Sequence, residues 1–145
     1  MKVKIKRTDN STVLPMYHTA ESAGFDLAAA ADVIIEPGTV AKIPTNLIIE
    51  TPKGYFLLIT ARSSLALKKG LMMANGVGII DPDYSGPEDK IYLILYNFTN
   101  QPVTINQGER LAQGIFLPSQ QVIWEEIMMT SKETNRGGFG STGTK

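Results

Sequence analysis

The sequence predicts an all-β protein, a sandwich or a barrel, and three observations support that fold class. Short runs rich in branched and aromatic residues recur along the chain. Gly, Pro, Asn and Asp separate these runs at short intervals, as turn residues do between strands. The one helical candidate, SSLALKKG, is about two turns long, which leaves strands as the main elements.

The predicted strands are, in chain order, KVKIKR, DVIIEPG, TVAKIPTNLIIE, GYFLLITA, KIYLILYNF, QPVTIN and RLAQGIFLP. A further short strand is predicted to end within GIIDPDY. Two runs, YFLLITA and IYLILYNF, are too uniformly apolar for strands with one solvated face. We therefore expect both of their faces to be covered, in part by an oligomer interface.

The helix and the end of the chain have clear boundary signals. Ser63 or Ser64 can cap the start of the helix, and Gly70 can end it. The last stretch, SKETNRGGFGSTGTK, is rich in Gly, Ser and Thr and cannot bury enough surface to fold alone. We therefore predict a β-domain over residues 1–130 and a flexible C-terminal arm over residues 131–145.

The composition excludes several classes of function. The 145 residues include 14 Lys and Arg against 14 Asp and Glu, so no basic field attracts duplex nucleic acid. The absence of cysteine excludes disulfides, thiolate metal sites and cysteine nucleophiles. No apolar run approaches the ~20 residues that span a bilayer, and the N-terminus lacks a signal-peptide segment. We expect a cytoplasmic protein that binds neither nucleic acid nor membrane, with its single histidine, His18, at the surface.

The segment ARSSLALKKG has the composition of an anion site. Arg62 supplies a planar fork of donors. The hydroxyls of Ser63 and Ser64 follow at a helix start, where backbone N–H groups point outward. The alternative is a plain capped helix with a solvated arginine.

The segment GIIDPDYSGPEDKIYLILYN places two carboxylates and an aromatic ring in a tight connection. Asp81 follows a predicted strand, and Pro82 fixes the backbone after it, so the carboxylate could take a proton from a water. Tyr84 offers a flat face to a ring-shaped ligand, and the predicted hairpin presents backbone groups that could read a base edge. The alternative is a turn in which Asp81 and Asp83 only cap backbone groups.

Two further segments carry weaker signals. Gln113 in GERLAQGIFLP could point its amide at a ligand or a water, although a strand glutamine is more often a surface residue. In RGGFGSTG, Phe139 has no core to join and could stack on a base, while the glycines let backbone N–H groups approach an anion. Arg136, Ser141 and Thr142 could contact phosphate oxygens there; the alternative is a disordered tail.

Together and in this order, these segments resemble the five motifs of the trimeric dUTP pyrophosphatase (dUTPase) family. SAGFDL resembles the first motif and ARSSLALKKG the second. NGVGIIDPDYSG resembles the third, GERLAQ the fourth and GGFGSTG the fifth. The resemblance covers residues 23–143, and five motifs in register make it specific.

This resemblance implies a distorted jelly-roll-like β-barrel that assembles as a homotrimer, with active sites between subunits and the C-terminal arm closing over them. It implies hydrolysis of dUTP to dUMP and pyrophosphate, with Mg²⁺ bound mainly by the triphosphate. The sequence shows no obvious protein cage for a metal, which agrees with that role. Asp26, in the first motif, would either contact Mg²⁺-bound water or brace the site.

The resemblance also implies a role for each candidate residue. Asp81 would be the general base for the water that attacks the α-phosphorus, and Tyr84 would pack on the deoxyribose and exclude a 2′-hydroxyl. Uracil would be read by Asn75, Ile79, Ile80 and Tyr92 and covered by Phe139. The phosphates or the water would be held by Arg62, Ser63, Ser64 and Gln113. In the arm, the substrate would be bound by Arg136, Gly140, Ser141 and Thr142, the last two at the γ-phosphate.

The sequence departs from the family pattern in two places. Arg136 is separated from Phe139 by only two glycines, closer than is usual in the fifth motif, so Lys132 or Lys145 could serve in its place. GPEDK lengthens the turn after Tyr84, which would change the rim of the uracil pocket.

Two other functions fit parts of the pattern. A dCTP deaminase, or a bifunctional deaminase and dUTPase of the same fold, would carry a glutamate where this chain has Ile94, and would lack the glycine-rich tail. A noncatalytic nucleotide-sensing module would not need Asp81, Arg62, Gln113 and the tail together. The pattern as a whole favours dUTP hydrolysis.

Overall fold

The computed structural model describes residues 1–138, and within them it has eleven β-strands and one short helix. The strands are β1 (Lys4–Arg7), β2 (Phe25–Ala28), β3 (Val33–Ile35), β4 (Val40–Pro44), β5 (Leu47–Glu50), β6 (Tyr55–Ala61), β7 (Leu71–Met73), β8 (Gly78–Ile80), β9 (Tyr92–Asn97), β10 (Val103–Ile105) and β11 (Arg110–Pro118). The helix α1 (Leu65–Lys69) follows β6 and ends at Gly70, whose φ is 64°. This confirms the prediction of an all-β protein with one short helix.

Within residues 1–138 the strands pair antiparallel in four sheets. The largest has the order β2-β11-β6-β8, and a second has the order β4-β9-β7. Two smaller sheets pair β1 with β5 and β3 with β10. The long strand β11 bonds to both β2 and β6, so it lies within the largest sheet. The first four candidate motifs therefore fall on or beside strands of one sheet.

The core is built from alternating strand residues. Along β9, Leu93, Leu95 and Asn97 are fully buried, whereas the residues between them are half-buried. The amide of Asn97 donates to the carbonyl oxygens of Ile35 at 2.9 Å and Gln101 at 2.8 Å. Because both bonds are made inside the protein, this buried polar group ties β9 to β3 instead of weakening the core.

The run TVAKIPTNLIIE was predicted as one strand, and that prediction was wrong. Asn46 has a positive φ of 54°, which interrupts the extended backbone between β4 and β5. The buried hydroxyl of Thr45 donates to the carbonyl oxygen of Ile91 at 2.7 Å. The kink therefore also anchors the chain just before β9. Two other strands, β2 and β7, were not predicted, because FDLA and LMM are too short to show a strand period.

The predicted hairpin around GIIDPDYSGPEDK was also wrong. β8 bonds to β6, whereas β9 bonds to β4 and β7. The connection from Asp81 to Ile91 therefore passes from one sheet to another. It takes its shape from bonds within itself and not from a paired stem.

The two uniformly apolar runs have only one face fully covered by their own chain. On β6, Leu57 and Ile59 are buried and their neighbours are half-buried. On β9, the half-buried face consists of Tyr92, Ile94 and Tyr96. We expected both faces of these strands to be covered, but within residues 1–138 the second face of each is only half-buried.

After Pro118 the described chain leaves the sheets. Residues 119–138 contain no strand or helix, and all of them are exposed. They include large apolar side chains: Val122, Ile123, Trp124, Ile127, Met128 and Met129. The division at residue 130 stays a prediction. No helix of residues 1–138 is long and apolar enough to cross a membrane.

Candidate active site

A polar row crosses the largest sheet near one end. Gln113 on β11 pairs with Asp26 on β2 and with Thr60 on β6. Residues that pair directly across antiparallel strands direct their side chains to the same face. Gln113 and Asp26 line a cavity of about 300 Å³, whose other lining residues are His18, Ser22, Ala23, Gly24, Arg62 and Ser63.

Asp26 is the electrostatic centre of this cavity. Its side chain is only 13% exposed, and both carboxylate oxygens have cationic partners. Oδ1 lies 3.2 Å from Nε of Arg62, and Oδ2 lies 3.1 Å from a terminal nitrogen of Arg110. The ring of His18 places Nε2 at 2.9 Å from the same Oδ2 and also contacts Arg110. One carboxylate therefore organises two guanidinium groups and an imidazole.

Arg62 is fixed at the end of β6 by its backbone. Its N–H donates to the carbonyl oxygen of Leu111 at 3.1 Å, and its carbonyl accepts the N–H of Leu65 at 3.0 Å. The side chain remains 33% exposed beside the cavity. The strand end and Asp26 therefore hold a planar fork of donors where an anion can reach it.

The two serines after Arg62 carry the chain into α1. Ser64, one of the two predicted candidates, occupies the N-cap position, but its hydroxyl makes no capping hydrogen bond. Ser63 is exposed and lines the cavity of Asp26. Ser64 instead lines an adjoining cavity of about 370 Å³ together with Arg62 and Arg110. The two serines thus line different cavities, and Arg62 borders both of them.

An ion pair braces the second candidate motif against the fourth. Nζ of Lys69 lies 2.7 Å from Oε1 of Glu109 and donates to the carbonyl oxygen of Thr104 at 2.9 Å. Glu109 directly precedes Arg110 at the start of β11. The pair therefore fixes the end of α1 relative to the strand that carries Gln113.

The amide of Gln113 is held close to the strand backbone. Its Nε2 lies 3.5 Å from the carbonyl oxygen of Ala61, at the edge of hydrogen-bonding distance. A side-chain carbon added to Gly24 would lie 3.3 Å from Oε1 of Gln113. The glycine of the first motif therefore leaves the space that this amide occupies.

Asp81 and Tyr84 form a second group at the exit of β8. The N–H of Tyr84 donates to the carbonyl oxygen of Asp81 at 3.2 Å, across a turn with Pro82 as its second residue. Asp81 is exposed, and Tyr84 is 39% exposed. Within residues 1–138 the carboxylate that caps a backbone N–H of this connection belongs to Asp89, not to Asp81 or Asp83.

The residues predicted to read uracil lie on the segments that flank this connection. Asn75 and Ile79 are exposed, whereas Ile80 and Tyr92 are half-buried. Asn75 lies between β7 and β8, directly before Gly76, whose φ is 71°. Tyr92 opens β9, and the ammonium of Lys42 lies 3.8 Å from the centre of its ring, close enough for a cation–π contact.

The two groups lie at opposite ends of the sheet. Ile80 pairs with Leu57 on β6, and Arg62 follows Leu57 by five residues at the other end of that strand. At a rise of ~3.3 Å per residue, these positions are about 16 Å apart, and Asp81 lies one residue farther away. Within one chain the structure therefore brings Arg62, Gln113 and Asp26 together, but not Asp81.

Sequence reasoning missed two partners of Asp26, His18 and Arg110. His18 is exposed, as predicted, but its ring is also bound to Asp26. No spacing in the sequence indicates that contact. Arg110 lies within GERLAQ, so its place in the fourth motif is the sequence feature that indicates it as a site residue.

The candidate residues of the arm are only partly described. Lys132 and Arg136 are exposed. Phe139, Gly140, Ser141, Thr142 and Lys145 lie outside the described residues. The roles predicted for the arm stay predictions.

A metal ion would find few protein ligands in residues 1–138. No three His, Asp or Glu side chains cluster there as a metal site. Both oxygens of Asp26 already face arginines. Mg²⁺ usually keeps several waters and takes one or two carboxylates plus substrate phosphates. The lining of this cavity offers such an ion one carboxylate, that of Asp26.

An all-β fold with an arginine fork, a serine and an amide around one charged cavity, and a second serine in the adjoining cavity, is typical of a protein that binds a small phosphorylated ligand. A sequence model of the dUTPase family matches residues 10–143. The chain is 42% identical over 144 residues to the deoxyuridine 5′-triphosphate nucleotidohydrolase of Nautilia profundicola, with 99% of each chain covered. It is 45% identical over 152 residues to the protein of that name from Desulfitobacterium hafniense, covering 99% of this chain and 97% of that one. The chain belongs to the dUTPase family.

Solved structures agree with this assignment. The dUTPase of Streptococcus mutans is 33% identical with a TM-score of 0.78, covering 86% of this chain and 100% of that one. The dUTPase of Staphylococcus bacteriophage 80alpha with dUPNHPP has a TM-score of 0.87, with 98% of each chain covered. At 23% identity the latter bears on the fold alone. The resemblance of the sequence to this family, and the fold class it implied, are confirmed.

Proposed function

We propose that the protein hydrolyses dUTP to dUMP and pyrophosphate. The observation that carries this proposal is the placement of Arg62 and Gln113 beside Asp26 in one cavity, in a chain that matches the dUTPase family over residues 10–143. The relatives from N. profundicola and D. hafniense are named for hydrolysis of this nucleotide.

The triphosphate binds at the cavity of Asp26. The guanidinium of Arg62 donates to phosphate oxygens, and the hydroxyls of Ser63 and Ser64 add donors on either side of it. The amide of Gln113 contacts a phosphate or orients the attacking water. Because Asp26 holds Nε of Arg62, the plane of the fork is set before the substrate arrives, which avoids ordering it during the reaction.

Asp81 acts as the general base. The oxygen of a water forms a bond to the α-phosphorus, and the water proton passes to the carboxylate of Asp81. The bond between the α-phosphorus and its bridging oxygen breaks, and its electron pair leaves with pyrophosphate. General-base catalysis contributes about 10²–10⁴-fold, and cationic groups stabilise the charge on the phosphates. The exposure of Asp81, with no backbone cap on its carboxylate in the described residues, supports this role.

A magnesium ion would be held mainly by the triphosphate of the substrate. There it would neutralise phosphate charge. Asp26 would contact such an ion only through water, because its oxygens are already engaged by Arg62 and Arg110. The protein's own contribution is to aim the arginines at the phosphates.

The nucleoside binds beside the connection from Asp81 to Ile91. The ring of Tyr84 packs on the deoxyribose and leaves no room for a 2′-hydroxyl. The uracil edge is read by Asn75 and by backbone groups of Ile79, Ile80 and Tyr92. Phe139, Ser141 and Thr142 of the arm cover the ring and the γ-phosphate, with Gly140 allowing close approach and Arg136 within the same arm.

The active unit is a homotrimer with each site between subunits. In one chain Asp81 lies more than about 16 Å from Arg62, too far for both to act on one triphosphate. A site with both residues forms when Asp81 of one subunit meets the Arg62 cavity of its neighbour. The number of subunits follows the family resemblance.

Exposed apolar surface supports this assembly. The outer face of β9 leaves Tyr92, Ile94 and Tyr96 half-buried. In the segment after Pro118, Ile123 is 100% exposed and Trp124 is 90% exposed. Large exposed apolar patches on a protein surface mark protein contacts. Analytical ultracentrifugation should give the mass of three chains, and a monomer at working concentration would overturn the assembly.

A nucleotide panel tests the activity. The protein is incubated with dUTP, dCTP, dTTP or UTP in the presence of Mg²⁺, and the products are identified by chromatography. We expect dUMP and pyrophosphate from dUTP and little product from the others. Ammonia released from dCTP would support a deaminase, and no product from any nucleotide would support a noncatalytic module.

A further inference from the structure

The connection between β8 and β9 consists of two successive turns that each have proline as the second residue. The first runs from Asp81 to Tyr84 and is closed by the N–H of Tyr84 on the carbonyl oxygen of Asp81, at 3.2 Å. The second runs from Gly86 to Asp89 and is closed by the N–H of Asp89 on the carbonyl oxygen of Gly86, at 3.1 Å. Proline favours this position because its φ is already that of the turn. The backbone of the whole connection is therefore restricted without strand pairing.

A carboxylate locks the second turn. Oδ2 of Asp89 accepts the N–H of Gly86 at 2.7 Å, in a partly buried position. A side-chain carbon added to Gly86 would lie only 2.9 Å from that oxygen, so the glycine makes the close approach possible. Each end of the turn is thus bound to the other twice, once through backbone atoms and once through the carboxylate.

The residue directly after this turn binds the side chain of Tyr84. The phenolic hydroxyl donates to the carbonyl oxygen of Lys90 at 3.1 Å, directly after the locked turn. Its ring is therefore held at both ends, by the first turn at the backbone and by Lys90 at the hydroxyl.

The far end of this tether is rigid. Ile91, the next residue, is 1% exposed, and its N–H donates to the carbonyl oxygen of Leu47 at 2.8 Å. Its own carbonyl accepts the buried hydroxyl of Thr45 at 2.7 Å. Lys90 thus lies between the turn locked by Asp89 and a residue fixed to the core, so its carbonyl, which accepts the hydroxyl of Tyr84, is restrained from both sides.

We propose that the turn Gly86–Asp89, locked by the carboxylate of Asp89, and the carbonyl of Lys90 after it hold the ring of Tyr84 as a fixed wall and thereby set the discrimination between deoxyribonucleotides and ribonucleotides. Asp89 is a positioning residue in this scheme, and the carbonyl of Lys90 is the anchor. The inference rests on the proposed function, in which Tyr84 packs on the sugar.

The physical reason is that an added hydroxyl is hard to reject by packing alone. A pocket that merely lacks space for a hydroxyl favours the deoxyribonucleotide over the ribonucleotide by about 10²-fold. If the side chain that fills this space can move away, that preference is lost. An untethered tyrosine can rotate about its side-chain bonds and admit the 2′-oxygen. A tethered ring cannot rotate in this way. The strength of the tether therefore determines how strongly the pocket excludes ribonucleotides.

The test compares variants of the turn by the ratio of kcat/KM for dUTP to kcat/KM for UTP. Asp89→Ala should lower this ratio by about fivefold to tenfold, the factor expected for one lost hydrogen bond of ordinary strength. The change should come mainly from a lower KM for UTP. Glu88→Ala, in the same turn and with the same loss of charge, is the matched control and should keep the wild-type ratio.

Two more variants separate the hydrogen bond of Asp89 from its charge and test the contact between Tyr84 and Lys90. Asp89→Asn keeps an oxygen that can accept the N–H of Gly86 and should restore most of the ratio. Tyr84→Phe removes the hydroxyl that binds Lys90 and should lower the ratio as Asp89→Ala does. The double variant should be no worse than either single one, because both act through the same tether.

The outcomes are distinguishable. If Asp89→Ala and Tyr84→Phe hydrolyse dUTP with the wild-type ratio, the tether does not set the discrimination. If Asp89→Ala loses activity equally with dUTP and UTP, the turn is only structural and the inference is wrong. If the unmodified protein fails to hydrolyse dUTP, it is the proposed function that fails.

Discussion

Asp26→Asn removes the negative charge that lies between two arginines and a histidine. The asparagine keeps the size of the side chain but cannot form ion pairs with Arg62 and Arg110. A hydrogen bond to a charged group is worth about 1.5–3 kcal/mol in a protected position. Because the arginine side chains are 33% and 45% exposed, solvent screening reduces each contact to about 1 kcal/mol. The expected loss in the free energy of unfolding is therefore about 2 kcal/mol.

Thermal unfolding measures this loss. For a chain of this size, 2 kcal/mol lowers Tm by about 4–8 °C. Both proteins must be melted at one concentration, because assembly makes Tm depend on concentration. Glu50→Gln is the matched control: Glu50 pairs with Lys4 at 3.0 Å, but these side chains are 50% and 84% exposed, so Tm should fall by about 2 °C at most.

The same substitution should raise the KM for dUTP by about tenfold, because Arg62 is no longer aimed before the substrate binds. A Tm for Asp26→Asn that falls no further than that of Glu50→Gln would refute the account of Asp26 as the clamp of the cavity. A normal KM with a lowered Tm would mean that the clamp serves only stability.

Three further changes test other parts of the protein. Asp81→Asn should lower kcat by at least about 10²-fold, since it removes the general base, while calorimetry should show dUTP binding nearly unchanged; an unchanged kcat would refute its role. Gly114→Ala should lower the free energy of unfolding in urea by about 1–3 kcal/mol, because the new carbon would lie 2.6 Å from Cζ of Phe25; wild-type stability would show that the strand relaxes freely. Removing all residues after Glu133 should lower turnover of dUTP by about tenfold or more and leave Tm nearly unchanged, because residues 134–138 are exposed; a collapse of Tm would make the arm structural.

Local signals predicted most of the fold. RLAQGIFLP was predicted as a strand and is one from end to end, and the helix ends at Gly70 as its left-handed conformation requires. The kink at Thr45 and Asn46 could not be predicted in the same way. It depends on a hydroxyl that bonds to the carbonyl of Ile91, 46 residues later in the chain.

The sequence predicts which residues belong to the candidate site, but it does not predict how they are arranged in space. Arg62 and Gln113 follow from their motifs, but the pairing of Gln113 with Asp26 depends on strand order. The contact between His18 and Asp26 depends on how an irregular segment packs, and it left no pattern in the sequence. Likewise, Asp81 and Arg62 lie at opposite ends of the sheet because β8 pairs antiparallel with β6. The three apolar residues of β8 do not specify that partner.

The central claim is that each active site combines Asp81 of one subunit with Arg62 of another, and mixing two inactive variants tests it most directly. Asp81→Asn and Arg62→Ala are combined in equal amounts, unfolded and refolded together, with subunit exchange verified by native mass spectrometry. In a random trimer about one quarter of the sites would contain both intact residues, so dUTP turnover should recover to about one quarter of the wild-type value. Verified mixed trimers that stay as inactive as either variant alone would contradict the claim.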